Sequence, residues 1–126
     1  MESKNQNKKL GELGEKIAAE FLIKKGYGLL QKNYVSGKSE VDLIMKDSKQ
    51  NQLVFVEVKT RNNPIVDPEI AVGKTKQRNL LRAAENYLSE NNLKTELRFD
   101  IISIAIKDGK TEIEHFEDAF YPFNSF

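Results

Sequence analysis

A single stretch, Leu53-Val54-Phe55-Val56-Glu57-Val58-Lys59-Thr60-Arg61, limits what this chain can fold into. It is short, rich in β-branched residues and apolar at nearly every position, the pattern of a strand covered on both faces. Side chains alternate across a strand, so Val54, Val56 and Val58 share one face and Phe55, Glu57 and Lys59 the other. Two opposite charges inside such a strand require a partner or a task.

Just upstream, Ser39-Glu40-Val41-Asp42-Leu43-Ile44-Met45 reads as a neighbouring strand, and Lys46 to Gln52 as the polar connection. Residues two apart on a strand lie about 7 Å apart and point the same way. Glu57 can therefore bind a divalent cation while Lys59 reaches a water or phosphate oxygen beside it. Asp42, on the adjacent strand, supplies a second hard oxygen ligand of the kind that Mg²⁺ or Mn²⁺ takes together with water and substrate phosphate. The competing reading is a Glu57–Lys59 ion pair on a partly wet sheet face, with Asp42 merely lining a turn.

Composition narrows the classes. The 126 residues suffice for one domain with a core, and 39% hydrophobic content with mixed charge describes a globular chain. No cysteine is present, which removes disulfides and thiolate metal sites, and a single histidine, His115, excludes a His-rich metal centre. No apolar run approaches membrane-spanning length, so a cytoplasmic protein without membrane association is expected. A net charge of +1 leaves only a local basic patch as a means of holding nucleic acid.

In chain order, residues 1–8 form a mildly basic flexible leader, and residues 9–126 one domain. A helix is predicted from about Lys9 to Lys25, with Leu10, Leu13, Gly14, Ile17, Ala18, Phe21 and Leu22 at helical spacing. Glu15 and Glu20 flank that stripe on opposite sides, and periodicity does not choose between them. Gly11 and Gly14 inside the helix suggest a close approach by another element. A strand near Tyr27 to Tyr34 and a turn at Ser36-Gly37-Lys38 precede the two strands above. Asn62 to Pro68 reads as a loop.

A second helix follows from about Lys74 to Asn91, burying Leu80, Leu81, Ala84, Tyr87 and Leu88, with Gln77 toward the sheet. Lys74, Lys76, Arg78 and Arg82 crowd its N-terminal half, where cations disfavour the helix. Contact with DNA backbone phosphates would explain them, Arg61 included, and a solvated helix face is the alternative. Leu97 to Ile106 and Thr111 to Phe116 are strands joined at Asp108-Gly109. The tail to Phe126 is aromatic, as a cover or an interface. The order α-β-β-β-α-β-β gives a single α/β domain with a central mixed sheet flanked by helices.

Several motifs then combine: Gly11-x-x-Gly14-Glu15-x-x-Ala18, Gly26-Tyr27, Asn33-Tyr34, Glu40-x-Asp42-Leu43-Ile44, Phe55-Val56-Glu57-Val58-Lys59-Thr60-Arg61, Lys76 and Arg98-Phe99-Asp100. Together they resemble the YraN-type family of small bacterial proteins over about residues 10 to 120. That family is similar to archaeal Holliday-junction resolvases, within the restriction-endonuclease-like fold. The resemblance implies a Mg²⁺-dependent endonuclease acting on DNA, including branched DNA. It implies Asp42 and Glu57 as metal ligands, Lys59 as the catalytic lysine, and Glu15 rather than Glu20 as the helix-borne acid completing the site. Gln77 matches a polar helper loosely.

Two departures stand out: Ser39 where the family usually has Gly, and Val35 where Arg is common. Resolvase-like chemistry makes two cuts, so a homodimer is expected. The alternatives are a non-catalytic nucleic-acid-binding or accessory module on the same fold, and a protein-interaction scaffold.

Overall fold

A computed structural model describes residues 4–62 and 72–120, in the order α1 (Lys4–Lys24), β1 (Gly28–Ser36), β2 (Ser39–Asp47), β3 (Gln52–Arg61), α2 (Lys74–Glu90), β4 (Glu96–Lys107) and β5 (Lys110–Phe116). The five strands form one sheet in the order β1-β2-β3-β4-β5, parallel only between β3 and β4 and antiparallel elsewhere. This is the α/β arrangement read from the sequence, with β3 at its centre. α1 covers one face of the sheet and α2 the other.

The alternation along β3 builds both cores. Val54 and Val56 pack with Ala18, Ala19 and Leu22 of α1 and with Ile102 and Ile104 of β4. Phe55 faces the other way, among Leu80, Leu81, Ala84 and Tyr87 of α2. Its ring lies 5.7 Å from that of Phe99, which stacks in turn on Phe120 at 5.2 Å. Burying side chains of this size stabilises the fold by about 1.5–3 kcal/mol each.

Ends and turns follow local chemistry. Gly26, at φ +101°, ends α1, and Tyr27 N–H donates to the Leu22 carbonyl across the turn. Asn92, at φ +56°, takes the same place after α2, where Leu93 N–H donates to the Leu88 carbonyl. Asp108 and Gly109 both hold positive φ, as a two-residue hairpin between right-twisted strands requires.

Three expectations change. The helix starts at Lys4 and not at Lys9, so residues 4–8 are helical where a flexible leader over 1–8 was expected. Nothing apolar marks that extra turn; it is a polar extension of the helix. Leu13, expected in the buried stripe, is 46% exposed, and Ala19 is buried instead. The strand expected from Tyr27 begins at Gly28 and runs on to Ser36. The proline loop expected at Asn62 to Pro68, beyond Asn62, and the aromatic tail beyond Phe120 lie outside the described residues.

One end of the sheet is closed by a buried charge network on the α1 side. Arg98 of β4 grips Asp100 with two hydrogen bonds of 2.9 Å. It also donates to Asp47 of β2 at 2.9 Å, to Gln52 of β3 at 3.2 Å and to the Tyr27 hydroxyl at 2.6 Å. Lys25 Nζ lies 2.8 Å from His115 Nδ1; an ammonium can only donate, so the imidazole Nε2 donates to Asp100, 2.7 Å away. Burial alone would raise Asp100, but hydrogen bonds from His115 and Arg98 hold its carboxyl below the usual range. Burial is likewise outweighed at Asp47, which Arg98 holds low.

Candidate active site

The opposite end of the sheet is open, and the cause lies in β2. Its ladder with β3 ends at Leu43↔Val56. Val41 and Ile44 both pack on the α2 side while Leu43 packs on the α1 side, so strict alternation slips at Asp42. Across from Asp42, Asn33 of β1 sits at φ +52°, between the paired positions Lys32↔Leu43 and Tyr34↔Val41. Asn tolerates that left-handed conformation better than most residues. Where the ladder stops, the Asp42 side chain replaces it: Val58 N–H donates to Asp42 Oδ2 at 2.7 Å.

α1 is pressed against the same spot. A Cβ at Gly14 would lie 1.8 Å from Thr60 Oγ1, so only glycine lets the helix come this close to β3. The close approach expected at the two glycines holds at Gly14 alone, as a packing contact that brings the next residue, Glu15, to the strands; a Cβ at Gly11 would meet nothing within 4 Å.

Carboxylates converge there. One oxygen each from Glu15, Glu40 and Asp42 falls within a 4.8 Å group, the only such trio of potential metal ligands among the described residues. Burial pushes the Asp42 carboxyl up to about 7; the charges of Glu57, Glu15 and Glu40 add to this, and the Val58 N–H works against it. Glu15 is raised as well, first by burial and then by Glu40, against a hydrogen bond from Asn33. Glu20 is exposed on α1 and takes no part in the trio.

Two hollows meet at Asp42 and Glu57. The larger, about 680 Å³, runs between β2 and the start of α2, lined by Lys38, Ser39, Glu40, Gly73, Thr75 and Lys76 among others. The smaller, about 510 Å³, lies toward α1 and is lined by Glu15, Lys59 and Thr60 together with Asp42 and Glu57. All four residues read as catalytic from the sequence, Glu15, Asp42, Glu57 and Lys59, therefore border one cavity.

Glu57 has a partner that the sequence did not suggest. Its Oε1 accepts from Lys76 Nζ of α2 at 2.5 Å. Of the residues read as DNA contacts, only Lys76 lines the larger hollow. Lys74 and Arg82 are exposed and Arg78 is half-buried, one helical turn apart along another stripe of α2. Gln77 Nε2 donates to the Val72 carbonyl at 2.7 Å, and Arg61 is half-buried at the end of β3, opposite Ala105.

Glu40 and Asn33 were given no role in the sequence reading. Glu40 has a signal, since an acid two residues before Asp42 shares its side of a strand. Asn33 stands in the Asn33-Tyr34 motif, but only its backbone conformation shows why.

The donor set fits a hard divalent cation. A carboxylate trio beside Glu57, with one member pushed toward neutrality, is what such an ion satisfies. Asp42 belongs both to the trio and to the Glu57 wall, so it is the ligand any cation here would share.

Comparison with known proteins agrees with the motif set. UPF0102 protein FP2501 of Flavobacterium psychrophilum is 44% identical over 115 residues, covering 90% of this chain and 95% of its own. A UPF0102 protein of Syntrophomonas wolfei is 43% identical over 116 residues, covering 90% and 99%. One from Chloroherpeton thalassium is 40% identical over 126 residues, covering 97% and 96%. A solved structure, "Crystal structure of SSO0001", superposes with a TM-score of 0.38 at 16% identity; the match covers 92% of this chain and 54% of that one. Residues 14–104, the span from the glycine against Thr60 to the last third of β4, match the Uncharacterised protein family UPF0102, and the chain belongs to that family.

Proposed function

We propose that this protein is a divalent-metal-dependent endonuclease that hydrolyses DNA phosphodiester bonds, with Mg²⁺ or Mn²⁺ as its cofactor. The observation that carries the reading is the meeting of Glu15, Glu40 and Asp42 in one carboxylate group beside a cavity that Glu57 and Lys59 also line. Asp42 and Glu57 would hold the cation, with Glu15 and Glu40 as inner ligands or as acceptors for its waters. A cation bound there supplies Lewis acidity at the phosphate and an acidified water.

The chain's own residues do the rest. The Val58 N–H fixes the Asp42 carboxylate, and Asn33 orients Glu15. Lys59, at the cavity wall, supplies a positive charge that stabilises the developing phosphorane and orients the attacking water. Lys38 and Lys76 line the larger hollow, through which a phosphodiester backbone would pass. Branched DNA is the substrate class to examine first, and two cuts on such a substrate call for a homodimer. No helix among the described residues is long and apolar enough to cross a membrane; we place the activity in the cytoplasm.

The test is a Mg²⁺ titration of cleavage on duplex, single-stranded, flap and four-way DNA, with Asp42→Asn as the control. Metal-dependent cuts that vanish in the control support the reading. DNA binding with no cleavage and no metal uptake would favour the accessory module instead.

A further inference from the structure

The ion pair between Glu57 and Lys76 occupies the carboxylate that a cation would need. Lys76 is the third residue of α2, at the positive end of the helix dipole, and that first turn carries no acidic residue. A lysine is disfavoured there unless an anion lies close by. Glu57, only 12% exposed, is that anion, while the Lys76 side chain is 53% exposed on a flexible four-carbon stem. Nζ sits 2.5 Å from Oε1, and a Mg²⁺–oxygen bond is about 2.1 Å. A cation on Glu57 and an ammonium on Glu57 would therefore face each other at close range, with repulsion that one carboxylate cannot offset.

We propose that Lys76 is a phosphate ligand held on Glu57 until a divalent cation takes that carboxylate. The displaced ammonium then swings within the larger hollow onto a phosphate oxygen of the DNA. This rests on the nuclease reading above and adds an order of events: metal first, then the Lys76 contact. The destination is suited to an anion. Lys38 lines the same hollow, and the first-turn amides of α2, whose N-cap Gly73 has no side chain to bond them, border it.

Two measurements on the full chain test it. Calorimetric titration with Mn²⁺ alone should show Lys76→Gln binding about two- to fivefold more tightly than wild type, because a competing surface ion pair is gone. Glu57→Gln should bind much more weakly. Fluorescence anisotropy with a duplex oligonucleotide should then show Lys76→Gln weakened in Ca²⁺ but close to wild type in chelator, and Lys76→Arg should restore the Ca²⁺ value.

Unchanged Mn²⁺ affinity in Lys76→Gln, with wild type binding the ion, overturns the displacement and leaves the nuclease reading standing. Equal loss of DNA affinity in Ca²⁺ and in chelator also overturns it, since Lys76 would then be a constant contact. Wild type that takes up no Mn²⁺, with or without DNA, removes the nuclease reading and this inference together.

Discussion

Asp42 Oδ2 accepts the Val58 N–H at 2.7 Å just where β2 and β3 cease to pair. A side chain has taken over a bond that the backbone of β2 would otherwise make, which leaves a buried carboxyl anchored among acids. Crowding of this kind costs stability whenever the carboxyl is charged.

That cost has a pH signature. The folded Asp42 carboxyl is raised from 3.8 to about 7, so its contribution to stability is full below about pH 4 and is lost as pH rises through 7. In chelator at pH 8, Asp42→Asn keeps an acceptor for Val58 and removes the charge. It should be more stable than wild type by on the order of 1–2 kcal/mol, with the gap closing toward pH 4. Urea denaturation at both pH values checks this; a variant less stable than wild type at pH 8 would contradict the crowding of acids.

Lys59→Ala should abolish cleavage and leave Mn²⁺ affinity within about twofold, because an ammonium is a donor and not a metal ligand. Calorimetry and a cleavage assay on the same preparation separate the two effects. Loss of metal binding in this variant would mean that Lys59 shapes the site rather than serving its chemistry.

Gly14→Ala tests the seating of α1. The added methyl meets Thr60 Oγ1 at 1.8 Å, so the helix must shift, at about 1–3 kcal/mol for overpacking. Glu15 moves with it, and Mn²⁺ affinity should fall as well. Thr60→Ala in the same chain should recover part of both losses, as read by thermal melts and titration.

Arg98→Met should be the most damaging of these changes. It leaves Asp100 and Asp47 buried without their cation, which costs about 3–5 kcal/mol. The carboxylates proposed to hold the cation stand at the other end of the sheet, so protein that still folds should bind Mn²⁺ like wild type. Chemical denaturation and titration report these separately.

The sequence made the architecture legible wherever period and turn chemistry coincide. Val54, Phe55 and Val56 announced a doubly covered strand, and Asp108-Gly109 announced a hairpin. Glu15, Asp42, Glu57 and Lys59 were legible as one group, three of them from strand spacing and Glu15 from the family motif. The slip at Asp42 was not, because a period of two assumes that the ladder continues. Glu40 carried a signal in its spacing from Asp42, but that spacing does not tell a ligand from an acid beside a polar turn. The Glu57–Lys76 pair joins residues on different elements, and strand spacing had offered Lys59, two residues away, as the partner. Arg98 and Asp100 could be read as a motif, yet nothing in β4 itself told that Asp47, Tyr27 and His115 would gather round them.

The lone parallel pairing, β3 with β4, also sets an order of assembly. β1, β2 and β3 form a meander of short-range hairpins, and β4–β5 is another, whereas Gln52 meets Glu96, 44 positions further along the chain. Loop closure of that length is the slow step in chains of mixed topology. Glu40, Asp42, Glu57 and Lys59 belong to the meander, and Glu15 alone comes from α1, so most of the group is in place within a fragment whose far end stays open until Arg98 arrives with β4. Refolding should accordingly show the β3–β4 junction gaining protection last, as followed by exchange of those β4 amides that bond β3 rather than β5.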